Sequence, residues 1–205
     1  MFVMAKYQNR YRIESHRKPG WNYASAGEYF ITICIQDMKC ILGRVVNARM
    51  VLNDFGKIVE AELIKSADMR QELQLGAFVV MPNHIHAIII LNDIADDANT
   101  ETHGRASVCG RVPVCDADMQ GRASVPYRRP KSISSFVAGF KSAVVSAVDD
   151  FIDEQAPGIP KYNRRNKFWQ SNYHDHIIRN WGEYDRIAQY IHNNPRKWQE
   201  TKYSK

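Results

Sequence analysis

The sequence has no long hydrophobic run. Its most apolar stretch, Ala87 to Leu91 with its flanks, is far short of the roughly 20 residues that span a bilayer as a helix. The first residues carry Lys6, Arg10 and Arg12 among polar side chains and lack the apolar core of a secretory signal. Cysteine is scarce too. Cys34, Cys40, Cys109 and Cys115 form no C-x-x-C pair, which excludes a zinc knuckle and a dithiol redox motif. All four read as structural or incidental thiols, Cys34 as a small buried hydrophobe in a strand. No H-E-x-x-H occurs, and no H-x-E is followed by P-C-x-x-C, so the zinc protease and zinc deaminase patterns are absent. A cytoplasmic protein without membrane attachment is the expectation.

What is present has an ordinary globular balance. The chain has 205 residues, 44% hydrophobic and 24% charged, enough for one domain to bury a core without disulfides or a structural metal. The net charge of +6 and the pI of about 9.1 allow a polyanionic partner. Two segments mix cations with rings. They are Tyr127-Arg128-Arg129-Pro130-Lys131 and Lys161-Tyr162-Asn163-Arg164-Arg165-Asn166-Lys167-Phe168-Trp169. Cations neutralise phosphates and flat rings stack on unpaired bases, a mixture suited to a single strand or a hairpin end. A solvated basic face is the competing reading.

The pattern predicts an α+β fold with one mainly antiparallel sheet and helices on it. Tyr29 to Gln36 reads as a strand, and a second strand falls near Val45 to Leu52. Asn53-Asp54 then caps a helix from Phe55 to Ser66. Leu75 to Met81 and His84 to Leu91 are apolar runs joined by the turn signal Pro82-Asn83. Ser132 to Ile152 has helical spacing, Phe168 to Ile178 reads as a strand, and Trp181 to Asn194 as a last helix ended by Pro195. Residues 92–126 differ from the rest. They are poor in large apolar side chains and repeat Gly-Arg-Ala-Ser-Val at Gly104 to Val108 and Gly121 to Val125. This segment is expected to be a flexible insertion in a single domain spanning 1–205.

The sharpest local feature is His84-Ile85-His86 at the head of a run that is apolar on both faces. In a strand the two imidazoles point the same way, about 6 to 7 Å apart along the chain, and can converge on one cation. Two hydrogen-bonded histidines at a strand end are the alternative. A second pair, His174-Asp175-His176, has the same spacing in a more polar setting, and the sequence does not rank the two. In the last helix Tyr184, Ile187, Ala188 and Ile191 form an apolar stripe. Tyr190 lies beside it, with Arg186 and Asn194 four residues away on either side. Its phenol is either core filling or a nucleophile for phosphorus.

Met81 to Ile90 resembles the His-hydrophobic-His motif of the HUH single-strand endonucleases. Gln189-Tyr190-Ile191-His192-Asn193-Asn194-Pro195 resembles the tyrosine helix of their single-tyrosine transposase branch. Arg10 through Trp21, Tyr29 to Gln36, Phe136 to Ser142 and Phe168 to Arg179 extend the likeness. Together they resemble the REP-associated tyrosine transposases over nearly all of the chain except the 92–126 insert. The resemblance implies a ferredoxin-like sheet with the histidines on a central strand. It implies a divalent cation on His84, His86 and Asn194, the last an amide where relatives commonly have glutamine. It also implies Tyr190 as the nucleophile that forms a 5′-phosphotyrosine and frees a 3′-hydroxyl. Two imidazoles completed by phosphate oxygens and waters suit Mg²⁺ or Mn²⁺. The expected partner is single-stranded or hairpin DNA, bound by a monomer or homodimer. The expected DNA-contacting residues are Arg128, Arg129, Lys131, Lys141, Arg164, Arg165, Lys167, Trp169 and Arg186. A hairpin-binding regulator without catalysis and an unrelated metal hydrolase are the other classes.

Overall fold

The computed structural model describes residues 20–92 and 131–198. The N-terminal motif residues up to Pro19, the insert beyond Asn92, and Arg128 and Arg129 lie outside them, as do Cys109 and Cys115.

A four-stranded antiparallel sheet forms the centre. β1 is Gly27–Cys34, β4 is Leu73–Val80, β5 is His84–Leu91 and β6 is His174–Ile178, arranged β4-β5-β1-β6. With helix α1 (Asp54–Asp68) between β1 and β4, and α2 (Ile133–Gln155) between β5 and β6, the chain runs βαββαβ. That is ferredoxin-like topology, with β5 and β1 as the inner strands. Every residue of β5 except Ile90 is buried, because helices cover both of its faces.

The two faces carry different cores. Tyr29, Ile31, Ile33, Ile85, Ala87 and Ile89 point to one side and pack against Val59 and Leu63 of α1 and Phe136, Phe140 and Val144 of α2. The other side presents Phe30 and Ile88 to a last helix, α3 (Trp181–Trp198), whose Tyr184, Ile187, Ala188 and Ile191 pack there as the stripe requires. Burying Ile191, at 1% exposure, contributes about 1.5–3 kcal/mol to holding α3 down. A register shift in β4 between Leu75 and Phe78 brings α3 close. A Cβ on Gly76 would stand 3.0 Å from the Tyr184 hydroxyl, so a side chain there would push the helix away.

Both predicted helix starts are capped as expected. Asn53 accepts from the Gly56 amide, and Ser132 and Ser135 cap each other. Three elements differ from the sequence reading. The strand expected near Val45 to Leu52 is a hairpin, β2 (Gly43–Val46) and β3 (Arg49–Leu52), reversed by Asn47 and Ala48, both at positive φ. Phe168 to Tyr173 is not strand: Phe168 and Trp169 are buried in the core beside one isolated bridge, and β6 begins only at His174. Pro195 does not end α3, which runs to Trp198. Pro195 loses the bond to the Ile191 carbonyl and crowds it, and burial of Trp198 at 7% exposure offsets this and holds the last turn. No helix among the described residues is long and apolar enough to cross a membrane.

Candidate active site

The two histidines of β5 emerge on the α3 side of the sheet, where the turn between β4 and β5 places them. That turn is braced from below. Asp37 and Met38, both at positive φ (57° and 55°), direct the Met38 carbonyl to the side-chain amide of Asn83, whose Nδ2 donates to it at 3.1 Å. Asn83 is fully buried, and its Oδ1 lies 2.7 Å from Nδ1 of His84. Since the Asn83 amide already donates to Met38, its oxygen accepts here. The His84 proton therefore sits on Nδ1, and the Nε2 lone pair faces forward.

His86 lies two residues on, with Nδ1 2.8 Å from the Thr32 hydroxyl of β1. The Nε2 atoms of His84 and His86 meet at 3.1 Å. Burial lowers the pKa of His84 to about 4; burial, and then His84 beside it, lowers that of His86 to about 3. Both rings are thus neutral near pH 7, the form that ligates metals. Ligands at right angles on one ion, each about 2.1 Å away, stand about 3.0 Å apart, so the pair fits adjacent positions on a divalent cation. No cluster of three or more His, Cys, Asp or Glu occurs among the described residues. Of the described residues, the one beside the pair that could add a further ligand is the amide of Asn194, buried on the facing helix.

Helix α3 completes the site. The Tyr190 hydroxyl is 3.4 Å from His86 Nε2 in the same chain, and the two rings are 5.3 Å apart edge to face. Phe30 holds the phenol from the sheet side, while Lys197 stands 5.8 Å over its ring. The ring remains 41% exposed, open to a substrate. Two turns on, Trp198 lies against His84 at 5.8 Å. Asn194 is four residues from each and buried, which puts it on the same helix face between the two imidazole contacts.

The other sequence candidates are elsewhere. His174 and His176 lie exposed on the edge strand β6, and His176 pairs with Glu183 at 2.8 Å. The first histidine pair is therefore the convergent one. Lys141 donates to the carbonyls of Gln170, Ser171 and Asn172, pinning the chain before β6. Trp169 corrects an expectation: at 6% exposure it packs between Phe140 and Phe168 and offers no ring face to a base. Arg164, Arg165 and Lys167 are exposed on the same segment, Lys131 is exposed before α2, and Arg186 is exposed on α3 with Nε on the Gly182 carbonyl. Tyr173, just before β6, bonds to Ser134 of α2. Asn83, Thr32, Lys197 and Trp198 are the site residues that sequence reasoning missed.

Comparison with solved structures gives the class of fold. A REP-associated tyrosine transposase solved bound to a REP hairpin superposes with a TM-score of 0.51 at 20% identity, covering 91% of this chain and 76% of that one. The chain thus has the fold of that transposase, α+β with a mainly antiparallel sheet. In sequence, it is 32% identical over 192 residues to an uncharacterized protein of Haemophilus influenzae, covering 91% of this chain and 89% of the relative. It belongs to the same family as that protein. No family model matches.

Proposed function

We propose that the protein is a metal-dependent tyrosine transposase or endonuclease that cuts, and can rejoin, single-stranded DNA at hairpins or palindromic repeats. The observation that carries this reading is the approach of the Tyr190 hydroxyl to 3.4 Å from a buried pair of neutral imidazoles whose Nε2 atoms are 3.1 Å apart. The fold shared with a transposase solved on a REP hairpin supports the choice of substrate.

In this reading His84, His86 and Asn194 hold Mg²⁺ or Mn²⁺, which when bound neutralises charge growing on the scissile phosphate. Tyr190 attacks phosphorus. Its phenol releases a proton to solvent through the exposed edge of the ring, and the new O–P bond replaces the bond to the 3′-oxygen, which leaves and takes up a proton. The products are a 5′-phosphotyrosine and a 3′-hydroxyl. One phosphodiester-type bond has replaced another, so the reverse attack by a 3′-hydroxyl rejoins strands. Lys197, 5.8 Å over the Tyr190 ring, would set a cation near the transferred phosphate. The exposed Arg164, Arg165, Lys167, Lys131 and Arg186, with Arg128 and Arg129, supply backbone contacts.

Cleavage of an end-labelled, hairpin-bearing single strand with Mn²⁺ tests the assignment. Cutting is expected from the unaltered protein and loss of cutting, with binding retained, from His86→Ala. Full cutting by His86→Ala removes the metal role. Binding without cutting by the unaltered protein leaves a hairpin-binding regulator.

A further inference from the structure

A second concave surface borders the same helix. The β2–β3 hairpin lies against the C-terminal half of α3, and a cleft of about 450 Å³ opens between them, lined among others by Asn47, Arg49, His192, Asn193 and Arg196. None of these belongs to the candidate active site or to the basic segments singled out from the sequence.

Its electrostatics are one-sided. Among the described residues, no acidic side chain lines the cleft. Arg49 and Arg196 come from different elements, are exposed, and have no carboxylate partner among the described residues. Lys39, Lys57, Lys65 and Lys161, by contrast, each pair with an acid. Two planar guanidinium forks facing one concavity, with Asn47 as a further donor, suit oxygen anions that accept two bonds at once. The tight reversal at Asn47 and Ala48 sets Arg49 at the start of β3. Arg196 follows Tyr190 by six residues, about 9 Å along the helix axis, the reach of a few nucleotides from the phenol.

We propose that this cleft is a phosphodiester subsite, in which Arg49 and Arg196 grip backbone phosphates of the strand flanking the one offered to Tyr190. The proposal rests on the reading of the protein as acting on single-stranded DNA, and its test separates the two.

The full chain is titrated with a fluorescein-labelled oligothymidylate of about 20 nucleotides, which offers phosphates but no hairpin, across about 50 to 200 mM salt. Arg49→Ala and Arg196→Ala are each expected to weaken binding about five- to tenfold at the low end. Each should also flatten the slope of log K on log salt by about 0.7, the loss of one single-strand phosphate contact. Arg49→Lys should recover most of the slope, and Lys65→Ala, late in α1 on the sheet face opposite α3 and paired with Glu62, should match the unaltered protein. Unchanged affinity and slope in both arginine variants would overturn the subsite, as would failure of the unaltered protein to bind at low salt. The Tyr190 chemistry is read separately, as a covalent adduct on a hairpin oligonucleotide with Mn²⁺. A missing adduct with flattened slopes leaves the cleft standing and removes the nucleophile; an intact adduct with unchanged slopes does the reverse.

Discussion

Asn83 links the strained backbone at Asp37 and Met38 to the proton of His84, and so decides which nitrogen of that imidazole faces the site. Asn83→Ala should therefore weaken Mn²⁺ binding about 10- to 100-fold, the usual effect of losing the partner that orients a ligating histidine. Titration calorimetry checks this; unchanged affinity would deny the link. The burial that keeps both imidazoles neutral also sets a pH dependence. Both pKa values lie below the ordinary 6.5, so the unfolded chain takes up protons more readily. The stabilisation is complete above about pH 6.5 and is lost as pH falls toward the folded values near 4 and 3. Urea unfolding in EDTA is expected to show roughly 3 kcal/mol less stability at pH 5 than at pH 7, and little of that difference in His84→Ala/His86→Ala. Strand and helix periods put His84 and His86 on one face and Tyr190 beside the apolar stripe. The choice of this histidine pair over His174/His176, and of the phenol as nucleophile, came from the family resemblance. Thr32 and Asn83 were not legible, because a partner across strands depends on register, and an asparagine in a turn looks the same whether or not its amide holds a histidine.

Among the elements, α1 and α2, with a helical period and a cap, and β4 and β5, apolar runs joined by a turn signal, came out of the sequence nearly as they stand. Asn53 shows how a cap reaches the site. Its Oδ1 caps α1, and its Nδ2 donates to the Ile41 carbonyl, in the loop whose Leu42 amide bonds to the Pro82 carbonyl below the histidine turn. Asn53→Ala should cost about 1–2 kcal/mol in urea unfolding; a change within error would mean that water replaces both bonds. Elements governed by long-range packing were less readable. The β2–β3 reversal uses Asn-Ala, without the glycine that usually marks such a turn. Pro195 looked like a helix stop, but Trp198 packed on His84 carries α3 past it. The aromatics at Phe168 and Trp169 looked like strand residues and instead fill the core under α2.

At the scale of the molecule, topology puts the parts of the site together. The antiparallel βαββαβ order makes β5 an inner strand, α1 and α2 occupy one face of the sheet, and α3 is left to close the other over the histidines. Antiparallel strands with intervening helices were readable from the pattern of elements. The strand order, and with it the meeting of residues 104 positions apart in His86 and Tyr190, came only from the family resemblance. Because that meeting occurs within one chain, the Tyr190 hydroxyl reaches these imidazoles without a partner subunit. The most direct measurement is the mass of the tryptic peptide carrying Tyr190 after incubation with Mn²⁺ and a hairpin-bearing single strand, followed by nuclease digestion. A nucleotide phosphate attached to Tyr190, and no adduct in Tyr190→Phe, is the predicted result. An adduct on another residue, or one that survives in Tyr190→Phe, would contradict it.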